Sequence, residues 1–492
     1  MDDPHHKALN GQCYLPNTDA DRRDMLEAVG AGAFEDLLAD IPEALRVKSG
    51  LNLPPPLSEF EAMRHLSGLA RRNGSADEYV CFLGGGSYDH YVPSIVGEIA
   101  SRSEFYTAYT PYQAEISQGT LQSIYEFQSL IARLTGMEIS NASLYDGATA
   151  LAEAVMMALS VTRRHKVVVS GCVSPIKLNV INTYLEGGHT EVVTTGRESG
   201  CTTAQEISSV IDDSTACVVV DSPNFFGVIE DLESIGEAVK LKDIFFIVSV
   251  DPVSLGILAP PSAFGADIVV GEGQSLGNHL NFGGPNLGFM ATGRKYMRKM
   301  PGRLVGKTVD SQGSPCFCLT LQTREQHIRR ERATSNICTN QALNALCATV
   351  YLCWLGEQGI RHLGETCLSI AQYASREFGA DELAAIGIKK RFDAPFFREF
   401  VLDLPVDAEL AAEKAVERNI LAGIPLGRFY PELKNSLLIA FTEKRTRAEV
   451  DGLVDAVRDI CRGAGRDSKA GQAGRRPRAA GAPGRAGKGM KP

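Results

Sequence analysis

Short runs of apolar, often β-branched residues alternate with segments of helical hydrophobic spacing between about residues 78 and 330. Runs that are nearly all apolar are typical of strands covered on both faces. These runs are 166–170, 191–195, 216–221, 244–251 and 266–270. The clearest helical pattern spans 119–135, and Gly136 follows it as a stop signal. The alternation predicts an α/β domain built on a mainly parallel sheet.

A second, smaller pattern follows a long helical region over 339–377. It consists of a strand in FFREFVLDL, a helix over 407–418, a strand in SLLIAF and a helix over 446–462. Thr446 and Glu449 have the spacing of a capping box at the start of the last helix. This order predicts a small C-terminal α+β domain.

The two ends of the chain differ from this middle. Residues 21–72 predict two helices separated by Pro54 to Pro56, with Ser58 as the N-cap of the second. Such a segment is expected to wrap a neighbouring subunit or domain. After Arg462 the chain is rich in Gly, Ala, Pro, Arg and Lys without large apolar side chains, which predicts disorder. This basic tail could attract an acidic partner, but a solvated tail is the favoured interpretation.

The predicted domains are therefore a helical N-terminal arm, a large domain, a small domain with its connecting helices, and a disordered basic tail. Their boundaries are 1–77, 78–335, 336–462 and 463–492.

Composition narrows the function classes. The 492 residues are 44% hydrophobic and 22% charged, and the net charge of −9 gives no general case for nucleic-acid binding. The 12 cysteines form no CxxC pair or Cys/His metal spacing, so we expect no zinc and reduced thiols in a cytoplasmic protein. The N-terminus lacks the pattern of a secretory signal. No uncharged apolar run reaches about 18 residues, so no membrane span is expected.

Residues 82–128 contain the densest set of candidate binding groups. Three glycines allow close approach of a backbone to a ligand. Tyrosine rings with single hydroxyls suit a pocket for a flat ring or a small polar substrate, although an aromatic loop packed over the core is an open alternative. The candidates are Gly84, Gly85, Gly86, Tyr88, Tyr106, Tyr109, Tyr112, Glu115 and Gln118.

Three further stretches resemble parts of a cofactor site. Thr149 follows the Asp146-Gly147 turn at a helix start, where backbone N–H groups bind phosphate but where simple capping is commoner. Asp251 ends a strand, where it could hold a protonated pyridine nitrogen or anchor a loop. The glycine-rich loop that follows offers Glu272, Gln274, Ser275 and His279 but no lysine.

Several of these stretches together resemble one family, the decarboxylating glycine dehydrogenases of the glycine cleavage system, or P-proteins. The resemblance covers roughly residues 20–460. The segments that carry it include EFYTAYTPYQAEISQG, SLYDGATALAEA, DSPNFFG, REQHIRRERATSNIC and LLIAFTEKRTRAEVD. The size fits subunit 1, the α subunit of the two-gene form.

The resemblance implies an aminotransferase-like fold type I, the fold of enzymes that depend on pyridoxal phosphate (PLP). It also implies decarboxylation of glycine on PLP, with transfer of the aminomethyl group to the lipoyl arm of the H-protein. In this family the lysine that binds PLP lies on the β subunit. When Gly283, Gly284 and Pro285 are aligned with the equivalent loop of that subunit, the lysine position falls on Gln274, whose amide forms no Schiff base.

The implied assembly has two copies of each subunit, with PLP bound covalently by the β subunit. This chain would then contribute one wall of the partner's site through Gly84, Gly85, Gly86, Tyr109, Tyr112, Glu115 and Gln118. Arg329 and Arg330, with Thr149, are candidates for binding an anion, and structural ion pairing is the alternative for the arginines. Asp251, Gln274 and His279 would be remnants of a lost cofactor site.

One departure from the family pattern lies near this site: Ser174-Pro175 occupies a place where His-Pro is common in the family.

Two alternative functions stay open. The chain could be a self-sufficient PLP enzyme that uses a relocated lysine such as Lys177 or Lys307. It could also be a non-catalytic scaffold for the H-protein.

Overall fold

The computed structural model describes residues 17–47, 52–281, 283–333, 335–337 and 339–473, with side chains described as far as Gly463. The chain divides into two compact units between Asn73 and Gly74. The domain boundaries expected from the sequence stay predictions.

The described residues of the first unit contain two α-helices, α1 (Asp19–Ala28) and α2 (Glu59–Ala70). Ser58 is the N-cap of α2 and forms a capping box with Glu61, which confirms the predicted N-cap. Neither helix has a buried side chain among the described residues. Both helices have exposed large apolar side chains, among them Met25, Phe60 and Met63. The expectation that this arm wraps a neighbour stays a prediction.

A seven-stranded sheet forms the centre of the second unit, in the order β2-β8-β7-β6-β5-β3-β4. Neighbouring strands from β4 to β7 are parallel, whereas β8 runs antiparallel to β7 and β2 antiparallel to β8. The chain returns from β7 through a glycine-rich loop without a crossover helix, so β8 pairs antiparallel. The strands are β2 (Ile139–Ser140), β3 (Lys166–Val169), β4 (Glu191–Thr194), β5 (Thr215–Ser222), β6 (Phe245–Val250), β7 (Ile268–Glu272) and β8 (Gly288–Thr292).

Both faces of this sheet are covered. Val218 and Val220 of β5 pack in one apolar cluster with Phe127, whereas Cys217 and Val219 pack in a second cluster on the other face. Because successive side chains of a strand point to opposite faces, a strand covered twice has to be apolar throughout. This is the physical reason for the nearly all-apolar runs, and the predicted parallel α/β core is confirmed.

Helices flank the sheet and precede the small domain. They are α3 (Ser94–Ala100), α4 (Ser103–Tyr106), α5 (Gln118–Thr135), α6 (Gly147–Thr162), α7 (Pro175–Leu185), α8 (Ala204–Val210), α9 (Leu232–Lys240), α10 (Gln326–Arg329) and α11 (Ala342–Phe378). Helix α11 is interrupted at Gly356, whose φ of 62° is left-handed. Helix α5 ends at Gly136 as the sequence predicts.

The C-terminal part has a four-stranded antiparallel sheet in the order β11-β12-β15-β14. Two smaller pairings complete the unit, the parallel pair β1–β13 and the hairpin β9–β10. These strands are β1 (Val80–Cys81), β9 (Leu304–Val309), β10 (Pro315–Thr320), β11 (Lys389–Lys390), β12 (Glu399–Asp403), β13 (Ile420–Leu421), β14 (Ile424–Pro425) and β15 (Ser436–Ala440). The accompanying helices are α12 (Asp381–Ala384), α13 (Ala408–Val416) and α14 (Arg447–Ala473).

Helix α14 corrects one expectation. It continues to Ala473, past the predicted end at Arg462 and into the segment expected to be disordered. Alanine, arginine and lysine favour a helix that has already begun, and the first proline after Arg462 is Pro477. The rest of the predicted tail, 474–492, lies outside the described residues. No helix in the described part of the chain is long and apolar enough to cross a membrane.

Candidate functional site

A small cavity lies at the carboxyl ends of β5, β6 and β7, the edge at which α/β sheets hold their ligands. Its volume is about 40 Å³. The side chains around it are mainly polar or charged. The lining residues are Gly85, Gly86, Tyr88, Ser174, Lys177, Asp221, Pro223, Asn224, Phe225, Val250, Asp251, Pro252, Glu272, Ser275, Arg398 and Glu399.

Asp251, the predicted partner of a pyridine nitrogen, is paired with an arginine of this chain. Arg398 Nη2 lies 2.6 Å from Asp251 Oδ2, and the Arg398 side chain is only 1% exposed. The guanidinium lies over the Tyr88 ring, 3.4 Å from its centre. Burial opposes the charge of Arg398, but the acidic groups around it, Asp251 foremost, together outweigh burial and raise the pKa of the guanidinium. A carboxylate paired in this way has no free charge for a pyridinium.

The buried charges continue beyond Arg398. Arg398 Nη1 contacts Nε2 of His90, whose Nδ1 lies 2.6 Å from a Glu443 carboxylate oxygen. Burial opposes ionisation of Glu443, but the hydrogen bonds it accepts, first from His90 and then from the Tyr91 N–H, outweigh burial and lower its pKa. Four side chains therefore form a continuous run of ion pairs and hydrogen bonds, Asp251–Arg398–His90–Glu443, which we call the relay. It connects the large sheet to the small one.

Two members of the relay, His90 and Glu443, also belong to a cluster of residue types that often bind metals. His90, Cys367 and Glu443 place ligand atoms within 4.8 Å of one another. However, His90 already accepts from Arg398 at Nε2 and donates from Nδ1 to Glu443. A metal at Nδ1 would make the ring accept at both nitrogens, which only an imidazolate does. We therefore assign the cluster to hydrogen bonding.

A carboxylate of this chain occupies the anion site at the start of α6. Glu272 accepts hydrogen bonds of 2.9 Å from the backbone N–H groups of Gly147, Gln274 and Leu287. Helix N-termini with convergent N–H groups are ordinary phosphate sites. Enclosure raises the pKa of Glu272 to about 7 despite these donors. The predicted phosphate-binding group Thr149 belongs to the capping box, where it accepts from Asp146 N and donates to Asp146 O.

Gln274 occupies the position predicted for a lost lysine, and its amide is fully engaged. Its Oε1 accepts from Tyr88 N at 2.9 Å, and its Nε2 donates to Tyr88 O at 3.1 Å and to Asn278 O at 2.7 Å. The side chain is buried and ties the glycine-rich loop to residue 88. His279, at the far end of the same loop, is exposed and does not line the cavity.

These contacts show that PLP does not fit the cavity of this chain. The predicted position for a Schiff base holds an amide, the predicted partner of the ring nitrogen is paired with Arg398, and Glu272 occupies the Gly147 N–H at the start of α6. The remaining 40 Å³ accommodates water, whereas small-molecule pockets span about 300–1,000 Å³.

The two lysines proposed as replacements lie in different surroundings. Lys177 lines the cavity, where its Nζ donates to Asp221 at 3.0 Å and to Ser249 Oγ at 2.7 Å. This amine is therefore engaged by the buried Asp221 and by Ser249 and is not free to attack an aldehyde. Lys307 is exposed on the hairpin strand β9, outside the cavity lining.

Glu399 gives the cavity a pH dependence. Burial raises its pKa to about 7 from 4.5, although it accepts from Gly85 N and Tyr88 Oη. Between pH 4.5 and about 7 the folded protein keeps a proton on Glu399 that the unfolded chain has lost. The contribution of Glu399 to the free energy of unfolding is therefore fully present below pH 4.5 and is lost as pH rises through about 7. Glu399→Gln should reduce the change in the free energy of unfolding between pH 5 and pH 8 by roughly 2–3 kcal/mol. Urea unfolding across that range measures it.

The exposed Glu417→Gln variant is the matched control and should keep the original profile. Equal pH profiles for Glu399→Gln and the unaltered chain would contradict the assignment.

The structure separates the residues that the sequence grouped as one wall. Gly85 and Gly86 line the buried cavity, and Gly84 packs so closely that an added Cβ would lie 2.4 Å from a Glu399 carboxylate oxygen. By contrast, Tyr109 is 85% exposed, and Tyr112 and Glu115 are also exposed. The glycines and the tyrosines therefore belong to two different places.

The remaining candidates also have definite positions. Gln118 anchors the hairpin, since its amide donates to Phe317 O at 2.9 Å and accepts from Phe317 N at 2.8 Å. Arg329 and Arg330 are exposed at the end of α10, and neither has an ion-pair partner in the part of the chain that the structure describes. Their proposed role in anion binding stays a prediction.

Arg398, His90 and Glu443 were not predicted from the sequence, and Glu272 was named only as one polar group of its loop, without a role. One signal was available for Arg398, a lone arginine among apolar residues in the predicted strand FFREFVLDL. Charged residues in such positions are rarely buried without a partner. Nothing in the local pattern of His90, Glu272 or Glu443 marks the contacts they make.

Comparisons with known proteins agree on one family. The family model described as "Glycine cleavage system P-protein" matches residues 12–457. A protein of Carboxydothermus hydrogenoformans is 52% identical over 444 residues, covering 90% of this chain and 99% of the relative. A protein of Chlorobium limicola is 54% identical over 445 residues, covering 90% and 99%. Both are called "Probable glycine dehydrogenase (decarboxylating) subunit 1".

Solved structures give the same result. A crystal structure of glycine decarboxylase (P-protein) of the glycine cleavage system, in inhibitor-bound form, has a TM-score of 0.82 and 42% identity, covering 91% of this chain and 100% of that chain. A Lactobacillus brevis glutamate decarboxylase has a TM-score of 0.63 at 12% identity, covering 85% and 96%. At that identity the likeness concerns the fold alone, the aminotransferase-like fold type I.

Proposed function

This chain belongs to the glycine cleavage system P-protein family, and we propose that it acts as a glycine dehydrogenase (decarboxylating) subunit only together with a second, PLP-bearing subunit. The observation that carries this proposal is the filled cofactor cavity. A chain whose own Glu272, Arg398 and Gln274 occupy the positions that PLP would need has to obtain that chemistry from a partner. The relatives named subunit 1 support such a pairing.

In the proposed enzyme the partner's PLP supplies the electron sink for decarboxylation of glycine. The aminomethyl group then passes to the lipoyl group of the H-protein. Assembly from two copies of each subunit is part of the same proposal. This chain would bind no cofactor and would form one wall of the reaction chamber, holding substrate groups and excluding water.

We place that wall on residues 105–116, which we call the strap. Its apolar side chains point outwards, with Tyr106 69%, Tyr109 85% and Ile116 77% exposed. The strap is nevertheless held in place, because Pro111 is buried, Tyr112 bonds Arg303, and Gln118 beyond its end bonds Phe317. An ordered segment with exposed aromatic side chains is typical of a surface that a partner covers.

Tyr109→Ala tests this placement. Because Tyr109 is 85% exposed in the free chain, its removal should leave the free energy of unfolding of the isolated chain within about 0.5 kcal/mol of the unaltered value. In the complex reconstituted with the second subunit and lipoylated H-protein, we expect glycine decarboxylation to decrease at least about tenfold, as for a central aromatic interface residue. Release of CO2 from carboxyl-labelled glycine measures the rate.

Leu241→Ala is the control, since Leu241 is 87% exposed beside the amino end of β6, opposite the cavity. It should keep full activity. Full activity of Tyr109→Ala as well would remove the strap from the reaction chamber and favour a scaffold for the H-protein.

A further inference from the structure

A second cavity, of about 200 Å³, lies beside the strap, between α5 and the start of α11. It is five times the volume of the filled cofactor cavity. Its lining is aromatic, aliphatic and small polar, with one charged side chain, Arg303. The described lining residues are Phe105, Tyr106, Ala108, Tyr109, Thr110, Pro111, Thr120, Ser123, Ile124, Ala142, Arg303, Thr339, Asn340, Ala342, Leu343 and Leu346.

Arg303 is buried, and the described residues provide it with no counter-ion. It is only 6% exposed, and its Nε has no hydrogen-bond partner in that part of the chain. Its side chain contacts Tyr112, through a 3.2 Å bond from Nη2 to the phenol oxygen and with its guanidinium 5.5 Å from the ring centre. No carboxylate among the described residues lies within ion-pair distance of Arg303.

The other arginines of comparable burial differ in this respect. Arg398 pairs with Asp251, and Arg445, also 6% exposed, pairs with Asp89. A buried guanidinium without a partner costs several kcal/mol, so folded proteins rarely keep one unless something outside the chain compensates it. The position of Arg303 is also fixed, because its carbonyl accepts from Ala142 N at 2.9 Å.

We propose that Arg303 binds the oxyanion of a small molecule, a carboxylate or a phosphate monoester, that enters this cavity. The planar fork of a guanidinium suits both groups. The aromatic and aliphatic lining supplied by Phe105, Tyr109 and Leu346 takes a small flat or apolar body attached to that oxyanion. Where the cavity serves the proposed function, the oxyanion is either the carboxylate of the substrate or the phosphate of the partner's cofactor.

The test uses the purified full chain without any partner. Sodium phosphate and sodium acetate are added separately, with sodium chloride at equal ionic strength as the reference, and binding is followed by calorimetry and thermal unfolding. At least one of the two oxyanions is expected to raise the Tm above the chloride reference. Phosphate alone identifies a phosphate monoester, and an acetate response identifies a carboxylate.

Arg303→Gln should weaken the binding at least tenfold. Arg303→Lys, which keeps the charge but not the fork, should bind with intermediate affinity. Arg133→Gln, an exposed arginine at the end of α5, is the control and should bind as the unaltered chain does. Because removal of an unpaired buried charge relieves a cost, Arg303→Gln should also unfold at the same or a higher urea concentration without added anion.

The proposal is overturned if neither oxyanion stabilises the unaltered chain, or if Arg303→Gln responds to the anion as the unaltered chain does. It is also overturned if Arg303→Gln unfolds at lower urea without added anion, since Arg303 would then be structural. These results are independent of the partner, so they are distinguishable from a failure of the proposed function, which the Tyr109 variant tests in the reconstituted complex.

Discussion

Replacing Arg398 by methionine is expected to lower the free energy of unfolding by about 3–5 kcal/mol, the cost of leaving a buried charge unpaired. Asp251 would lose its counter-ion, and His90 would lose the donor at Nε2. Because Asp251 directly follows β6 of the large sheet and Arg398 directly precedes β12 of the small one, the change also breaks a contact between the two sheets. Urea unfolding of the isolated chain, followed by circular dichroism, measures the loss.

Arg391→Met is the matched control. Arg391 lies in the same small domain and pairs with Asp403, but its side chain is 33% exposed, and exposed pairs contribute about 1 kcal/mol or less. A second variant, Arg398→Met with Asp251→Asn, should recover part of the lost stability, because no unpaired carboxylate remains. A loss below about 1 kcal/mol for Arg398→Met would contradict a relay of coupled charges.

Gln274→Lys is expected to leave the chain without PLP, even though it restores the amine. In this variant Arg398 still pairs with Asp251, and Glu272 still accepts from the N–H group at the start of α6. The ring nitrogen and the phosphate of PLP therefore have no free partners. A lysine also cannot accept from Tyr88 N, and the position is 2% exposed. The free energy of unfolding should therefore decrease by about 3 kcal/mol or more.

The measurement is the visible absorbance of the variant after incubation with PLP and gel filtration, together with urea unfolding. Gln312→Lys, on the exposed turn between β9 and β10, introduces the same amine without loss of buried contacts and serves as the control. Retention of a stoichiometric, borohydride-reducible aldehyde adduct by Gln274→Lys alone would show that the cavity still accommodates the cofactor.

The five parallel strands of the large sheet and helix α5 were predictable because local patterns determine them. A strand buried on both faces is apolar at every position, and Gly136 adopts the left-handed conformation that ends α5. The amide at Gln274, where the resemblance predicts a lost lysine, was also visible in the sequence, as one residue in a recognisable loop. Each of these features depends on residues close together in the chain.

The filled cavity was not predictable, because its contacts join distant parts of the chain. Glu272 reaches the start of α6 at Gly147, and Arg398 reaches Asp251 and His90. The sequence placed Gly85 with Tyr109 because they are near each other along the chain. The fold instead buries Gly85 against Glu399 and leaves Tyr109 exposed on the strap. Local periodicity carries no information about such pairings.

The most direct test of the account is the location of covalent PLP. The purified chain, alone and with its second subunit, is incubated with PLP, reduced with borohydride, digested, and analysed by mass spectrometry. The account predicts no stoichiometric pyridoxyl lysine on this chain in either sample, and one on the second subunit in the complex. A stoichiometric pyridoxyl group on Lys177 would contradict it, because the cavity described here has no room for that cofactor.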